Sequence, residues 1–211
     1  MKKQDFYLSK EELKEKSQDY MSGSWGKHAK TMAIVYVIMA ILVIGCVLAF
    51  KFLPWYVGAI LTFVSSIMFI LLFYGHNVYC LENARLTQKG IKLIFSGFGK
   101  NIFKIIFVKL VASIIQVVGF ALLIIPGIYW SYGLSMVDFV LRDNPKLSAF
   151  GVIKRSFKLM KSNKMRLFKV DLSFIGWFIL VEISGGIAGL WIAPYYNTTK
   201  ALFYEDLKTD F

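Results

Sequence analysis

The chain has 211 residues, of which 57% are apolar and only 18% are charged, and its mean hydropathy is +0.58. This composition is too apolar for a single soluble domain with a polar shell, so a lipid bilayer is the expected surrounding. A net charge of +12 can indicate nucleic-acid binding, but Lys outnumbers Arg by 21 to 4, and few side chains can make the bidentate contacts of specific recognition. Nucleic acid is therefore not an expected partner, whereas anionic lipid is.

The segment 1–31 is predicted to be cytoplasmic and amphipathic. Ser9 followed by Glu12 is a capping-box pattern, which predicts a helix of about ten residues. The first apolar run begins only near Met32, and no short apolar region with a cleavage site precedes it. A removable signal peptide is therefore not expected.

The first predicted hairpin begins with residues 32–50, which are 19 consecutive residues without a charge. A helix of that length rises about 28 Å, close to the thickness of the hydrocarbon core. Pro54 ends this span, and Trp55 and Tyr56 suit the headgroup boundary. The second span returns from there to about residue 76.

The second predicted hairpin begins with a span at 102–125, whose Lys104 and Lys109 extend back toward the preceding basic connector. Pro126-Gly127 predicts the turn. The fourth span, at 128–141, has about 14 residues and is short for a crossing. However, eight Lys and Arg residues follow between positions 142 and 166. A full crossing keeps them on the same side as the other basic connectors.

The third predicted hairpin consists of spans at 167–183 and 187–203, joined by a turn at Ser184-Gly185-Gly186 and followed by a tail at 204–211. In this topology 24 of the 25 Lys and Arg residues lie on one side, which predicts that this side is cytoplasmic. The predicted fold class is all-α. It is a single integral membrane domain, a bundle of six transmembrane helices at 32–203 in three hairpins with cytoplasmic amphipathic connectors, and both termini are cytoplasmic.

Each predicted hairpin follows a short basic or amphipathic stretch. The three stretches are marked by Trp25-Gly26-Lys27, Phe98-Gly99-Lys100 and Asn163-Lys164. They favour a threefold repeat of a surface helix plus a hairpin. The alternative is that any loop entering a membrane from the cytoplasm is basic and aromatic.

The connector after Pro145 predicts a helix in the boundary of the inner leaflet. Apolar residues recur at helical spacing on one face, at Phe150, Ile153, Phe157 and Met160. Beside them lie three cations, Lys154, Arg155 and Lys158, which are predicted to bind lipid headgroups at about 1 kcal/mol each. The alternative is that the apolar face packs on the protein's own spans.

Charged side chains within spans are costly, so each is a functional candidate. The preferred interpretation is structural: Asp138 pairs with Arg142 along one helix, and Asp171 pairs with Lys109 between spans three and five. The alternative is a proton or ion site.

Glu182 and Lys51 are the predicted charges near the outer face. A pair between them is the preferred interpretation, and a vestibule that attracts cations is the alternative. Glu182 is therefore a candidate binding residue.

The sixth span contains the strongest candidate for a polar site. Pro194 frees a backbone carbonyl, and hydroxyl and amide groups follow it, at Tyr195, Tyr196, Asn197 and Thr198. These groups are candidates to line a cavity, and a flux lost on Asn197→Leu would indicate transport. Hydrogen bonding between helices is the alternative.

No catalytic residue, metal site or cofactor is predicted. The chain has only His28 and His76, both expected to be solvated or interfacial, and the usual nucleophile, zinc and phosphate-loop motifs do not occur. Cys46 and Cys80 are predicted toward opposite faces, so a disulfide is not expected.

From Ile125 onward several short motifs resemble one known family. They are Ile125-Pro126-Gly127-Ile128, Asp143-Asn144-Pro145, Leu159-Met160-Lys161, Leu172-Ser173-Phe174-Ile175-Gly176-Trp177 and Pro194-Tyr195, with Trp25-Gly26 near the start. The chain resembles the bacterial integral-membrane family catalogued as domain of unknown function 975. The resemblance implies a bacterial membrane location. It does not indicate an activity, because the family offers no catalytic or binding residues to carry over.

The functional hypothesis is a non-enzymatic protein of the bacterial cell envelope that acts through lipids or other membrane proteins. The alternative is a small transporter or channel subunit.

Overall fold

The computed structural model describes residues 7–87 and 90–208, and all regular structure within these ranges is helical. The helices are α1 (Lys10–Met21), α2 (Trp25–Phe52), α3 (Trp55–Ala84), a 3₁₀ helix (Ile91–Phe98), α4 (Ile102–Leu122), α5 (Ile124–Leu134), α6 (Val137–Asp143), α7 (Ala149–Met160), α8 (Lys164–Ile183) and α9 (Gly189–Lys208). The predicted all-α class is confirmed. Residues 1–6 of the predicted N-terminal segment and 209–211 of the predicted tail lie outside the described ranges.

Within the described residues, four helical segments are long and apolar enough to cross a membrane: α2, α3, α4 and the continuous stretch Ile124–Asp143 formed by α5 and α6. Only 11% of the most apolar window of α2 is buried inside the protein. Such an exposed apolar surface requires lipid rather than water around it. The helices α8 and α9 occupy the predicted fifth and sixth spans but are more polar, so six crossings remain a prediction.

The order of the helices repeats three times along the chain. A short helix, a long helix and a returning helix follow one another in residues 10–84, 91–143 and 149–208. The long helices α2, α4 and α8 begin at or next to the three basic stretches that favour a repeat. Because each long helix pairs with its return partner, the starts of the long helices and the ends of the returning helices lie at one end of the bundle.

The outer turns follow local backbone preferences. Leu123 is extended, with φ −167° and ψ 158°, and separates α4 from α5. The turn therefore lies before Pro126, which occupies the first turn of α5, where a missing amide hydrogen costs nothing. The last outer turn is at the predicted position, and Gly185 and Gly186 adopt positive φ angles of 60° and 89°.

The predicted capping box of α1 is present. The Glu12 amide donates to Ser9 Oγ at 3.2 Å, and the Ser9 amide donates to Glu12 Oε2 at 2.7 Å. The bond that the Ser9 amide donates to the carboxylate lowers the pKa of Glu12 below its ordinary value. Leu13 and Met21 are buried, and Ser17 Oγ donates to the carbonyl of Tyr195 on α9 at 3.3 Å. The helix α1 is thus packed onto the bundle.

The 3₁₀ helix lies where the repeat interpretation expects a short surface helix before the second hairpin, and it packs closely along α3. Gly75 of α3 faces the backbone oxygen of Ile94, and Gly97 faces the backbone oxygen of Leu71, at distances that leave no room for a Cβ atom. The two glycines therefore allow backbone to approach backbone. The helix α3 itself continues eight residues beyond the predicted end at position 76.

The helix α7 packs most of its apolar side on the protein's own helices, which is the alternative to packing among lipid chains. Its buried residues are Val152, Ile153, Ser156, Leu159 and Met160. Ser156 Oγ donates to the carbonyl of Gly133 on α5 at 2.7 Å. Phe150, predicted on the lipid-facing side, is 66% exposed.

Candidate functional site

The ends of the three returning helices meet in one ion-pair cluster. Arg85, just after α3, contacts Asp143 at 2.7 Å and Glu205 at 2.5 Å. Lys208 contacts Asp143 at 2.9 Å, and the Tyr204 hydroxyl donates to the same carboxylate at 3.0 Å. Asp143 therefore receives donors from two sides, and the cluster connects α3, α6 and α9 at the basic end of the bundle.

The predicted pair between Asp138 and Arg142 is wrong. Arg142 donates to Glu82 at 2.8 and 3.0 Å, and Asp138 lies 2.6 Å from the Lys109 ammonium and accepts a bond from Asn77 at 2.7 Å. The physical reason is the extra length of α3, which places the Glu82 carboxylate beside α6. Arg142 then has a partner on another helix, and Asp138 is left to neutralise Lys109.

The predicted pair between Asp171 and Lys109 is also wrong. Asp171 accepts one hydrogen bond from the Tyr132 hydroxyl and one from the Tyr196 hydroxyl, both at 2.8 Å. The helix α8 packs on α5 and α9, which supply these tyrosines, whereas α4 packs on α3, α5 and α7. Lys109 on α4 therefore faces Asp138 instead.

An open cavity of about 480 Å³, with a mostly apolar wall, lies between α4, α5, α8 and α9. Its polar lining consists of Gln116, Ser131, Tyr132, Ser135, Asp171 and Lys200. Asp171 and Lys200 lie about 10 Å of helical rise from the basic end of their helices. Within the described ranges, no carboxylate lies within ion-pair distance of the Lys200 ammonium, which is 5.4 Å from the centre of the Tyr196 ring. The cavity thus combines a carboxylate and an ammonium group.

The structure separates the candidate residues of the sixth span. Tyr196 donates to Asp171, which lines the cavity, whereas Tyr195 packs against Trp25, with ring centres 5.9 Å apart. Asn197 and Thr198 are buried, with exposures of 6% and 1%. Only Tyr196 of the four contacts a residue that lines the cavity.

Glu182 is not brought to this cavity. Its side chain is exposed, and within the part of the chain that the structure describes it makes no ion pair with Lys51. The Lys51 ammonium lies 5.3 Å from the centre of the Phe52 ring instead. The predicted pair is therefore wrong, because α2 packs on α3 and α9 rather than closely on α8.

A second pocket, of about 550 Å³, lies at the basic end beside the start of α2. Its lining residues come from α1, α2, α3 and the start of the 3₁₀ helix, and they include Lys27, His28 and Lys30. His28 is only 4% exposed and His76 is fully buried, so the expectation that both are solvated or interfacial is wrong.

The described residues contain no group of three or more His, Cys, Asp or Glu side chains placed to hold a metal ion. The His76 imidazole lies 3.6 Å from the Cys80 thiol, one turn along α3. Instead, the structure brings together ion pairs, hydrogen bonds from tyrosine hydroxyls to carboxylates, and lysines that line the two pockets.

The apolar helices, with most of the charged side chains collected at one end, define the molecule as a helical membrane protein. Residues 91–210, more than half of the chain, match the family described as Protein of unknown function (DUF975). The chain belongs to this family, and the predicted resemblance is confirmed; Trp25-Gly26 lies outside the matched residues. No curated protein and no solved structure shows significant similarity to the chain.

Proposed function

We propose that the protein crosses the cytoplasmic membrane of a bacterium six times, with both termini inside, and acts without catalysis by binding anionic lipids or other membrane proteins. The supporting observation is the distribution of charge: Lys51 and Glu182 are the described charged residues at one end of the bundle, and the remaining cations lie toward the other. Cytoplasmic loops carry such an excess of Lys and Arg.

The polar residues of α8 and α9 are compatible with two further crossings. Each helix has 20 residues and rises about 30 Å, which matches the hydrocarbon thickness. Asp171 is bound by two tyrosine hydroxyls, and Arg166 of α8 pairs with Asp206 of α9. Because these charges have partners within the bundle, their cost in a membrane is reduced.

The exposed side of α7 is the proposed lipid-binding surface. Lys154, Arg155 and Lys158 are exposed there, next to the exposed ring of Phe150. Cations near the headgroups of anionic lipids each contribute about 1 kcal/mol, and an aromatic ring beside them anchors a helix in the interface.

The lipid test compares the wild type with a variant in which Lys154, Arg155 and Lys158 are all changed to Gln. We expect this variant to bind phosphatidylglycerol at the α7 surface at least about tenfold more weakly in native mass spectrometry, because three headgroup contacts are lost there. The control changes three exposed lysines elsewhere to Gln, at Lys10, Lys16 and Lys92. Equal affinity of all three proteins for phosphatidylglycerol and phosphatidylcholine would refute the proposed lipid role.

The orientation has its own test. A reporter that is active only outside the cytoplasm, fused just after Pro145, is expected to be inactive, because the connector at 144–148 then lies inside. Activity of this fusion would overturn both the orientation and the number of crossings.

The cavity with Asp171 and Lys200 favours a second candidate function, a small transporter or channel subunit. Charged groups that line a cavity within a membrane protein commonly mark solute or ion pathways. If the protein transports, Asp171→Asn is expected to abolish flux in reconstituted vesicles while the exposed control Asp19→Asn retains it. A wild-type protein that leaves vesicles tight to ions and small solutes would exclude this function.

A further inference from the structure

The pocket beside the start of α2 is cationic and rich in hydroxyl groups. Lys27 and Lys30 line it together with Tyr20, Ser22 and Ser24, and no carboxylate is among its described lining residues. A volume of about 550 Å³ lies in the range of small-ligand sites. Its chemistry therefore suits an anion with several oxygen acceptors.

The start of α2 adds a second positive contribution. The positive end of a helix dipole is usually offset by an acid or a capping side chain. The helix α1 has Glu11, Glu12 and a capping box, and α7 has the Ser148 cap. In contrast, α2 begins with Lys27 in its first turn, with no acid there and no side-chain cap among the described residues. An anion at this end would relieve the uncompensated charge.

His28 gives an independent indication of a ligand. Its imidazole lines the pocket and is only 4% exposed, yet its Nδ1 atom has no hydrogen-bond partner within residues 7–87 and 90–208. A buried polar atom without a partner costs free energy, and such atoms are usually paired with protein, water or ligand. A ligand that carries a donor or acceptor would satisfy this atom.

The opposite wall of the pocket does not cancel the positive charge. It is formed by the end of α3 at Tyr79, Asn83 and Leu86, where a helix dipole is negative. The carbonyls there already accept hydrogen bonds: Asn83 Nδ2 donates to Tyr79 O, and the Leu86 amide donates to Asn83 O. These two carbonyls therefore already have donors from the protein.

We propose that this pocket binds a phosphate group, with Lys27, Lys30 and the start of α2 as its donors. The proposal deepens the proposed function, on which it rests for the location of the pocket at the cytoplasmic surface. A phosphate there can belong to an anionic lipid of the inner leaflet or to a soluble phosphate ester. The apolar side chains of Leu86 and Ile91 beside the cations favour the lipid.

The first experiment measures binding to the full chain in a neutral detergent. Short-chain phosphatidylglycerol, glycerol 3-phosphate and inorganic phosphate are titrated separately, and dissociation constants are obtained from thermal-shift curves and native mass spectrometry. We expect saturable phosphatidylglycerol binding that weakens at least about tenfold in Lys27→Gln/Lys30→Gln, because two charged contacts are lost. The control Lys16→Gln/Lys161→Gln removes the same charge from exposed positions and should change affinity less than about threefold.

A second variant separates binding from folding. Ser24→Asp places a carboxylate at the start of α2, where it should preserve or raise the unfolding temperature of the free protein. The same carboxylate should repel a phosphate and abolish the ligand-induced shift. A merely structural role for the pocket would not produce these two opposite effects.

The outcomes are distinct. Binding of phosphatidylglycerol alone assigns the site to lipid, and binding of all three ligands with the same loss in Lys27→Gln/Lys30→Gln assigns it to phosphate esters in general. No saturable binding, or unchanged affinity in both pocket variants, overturns the proposal. The α7 triple variant leaves this pocket intact. Lipid binding at the α7 surface and phosphate binding in this pocket can therefore be tested separately.

Discussion

Asp138→Leu is expected to destabilise the bundle by about 3 kcal/mol, the lower end of the cost of breaking a buried ion pair, because it leaves the partly buried Lys109 ammonium without its carboxylate. The pair is close, at 2.6 Å, and the Asp138 carboxylate is 8% exposed. Asn77 also loses the acceptor for its side-chain amide. The measurement is the unfolding free energy of the purified protein in mixed micelles, followed by tryptophan fluorescence during titration with sodium dodecyl sulfate.

The matched variant is Lys109→Leu/Asp138→Leu. Replacing a whole buried ion pair by apolar side chains is often neutral or stabilising, so the double variant should recover most of the loss, to within about 1 kcal/mol of the wild type. An exposed carboxylate, changed in Asp19→Leu, should have little effect. A double variant no more stable than the single one would show that the ion pair is not the origin of the destabilisation.

Gly75→Ala is expected to destabilise the protein by about 3 kcal/mol, at the upper end of the cost of overpacking a core. The added methyl group would overlap the backbone oxygen of Ile94, and a backbone atom cannot rotate away as a side chain can. The 3₁₀ helix Ile91–Phe98 must then move off α3. Hydrogen exchange should show faster exchange at residues 91–98, and the unfolding free energy should fall.

The control for this prediction is Gly45→Ala in α2. An added Cβ at Gly45 meets no described atom within 4 Å, so the substitution should be neutral or should stabilise α2 by up to about 1 kcal/mol through its better helix propensity. Equal stability of the Gly75→Ala and Gly45→Ala variants would contradict the close backbone contact between α3 and the 3₁₀ helix.

The sequence predicted the positions of the long helices well, because length and hydropathy alone determine them. The 19 uncharged residues at 32–50 lie within α2, and the glycine turn at Gly185-Gly186 separates α8 from α9. The capping box at Ser9 was also predicted correctly, because all its partners are local. These features require no knowledge of which helices are neighbours.

The ion pairs could not be predicted, because they depend on neighbouring helices that are far apart in the sequence. The predicted partner of Asp138 was Arg142, one turn away on the same helix, whereas its actual partner Lys109 lies on α4. The missed Glu82 lies beyond the predicted end of the second span, where α3 continues as helix. Only a prediction that α3 continues past residue 76 would have indicated the Glu82–Arg142 pair.

The 3₁₀ conformation of residues 91–98, their packing on α3 and the pocket at Lys27 were not predicted, for a related reason. Residues 91–98 are apolar but short, and their conformation depends on the surface that Gly75 offers them. The pocket is assembled from four helical elements, so no single segment contains its pattern. Its local indication was the start of α2 itself, where lysine stands in place of the usual acid.

The contacts of α9 with α1 bear on biosynthesis. The Leu8 amide donates to Asp206, and Arg166 bridges the Leu8 carbonyl and Asp206, so the beginning of the described chain is held by α9, which is made after all the other described helices. Glu205 likewise reaches Arg85 only after α9 has been made. The earlier helices must therefore remain without these contacts until α9 has been made.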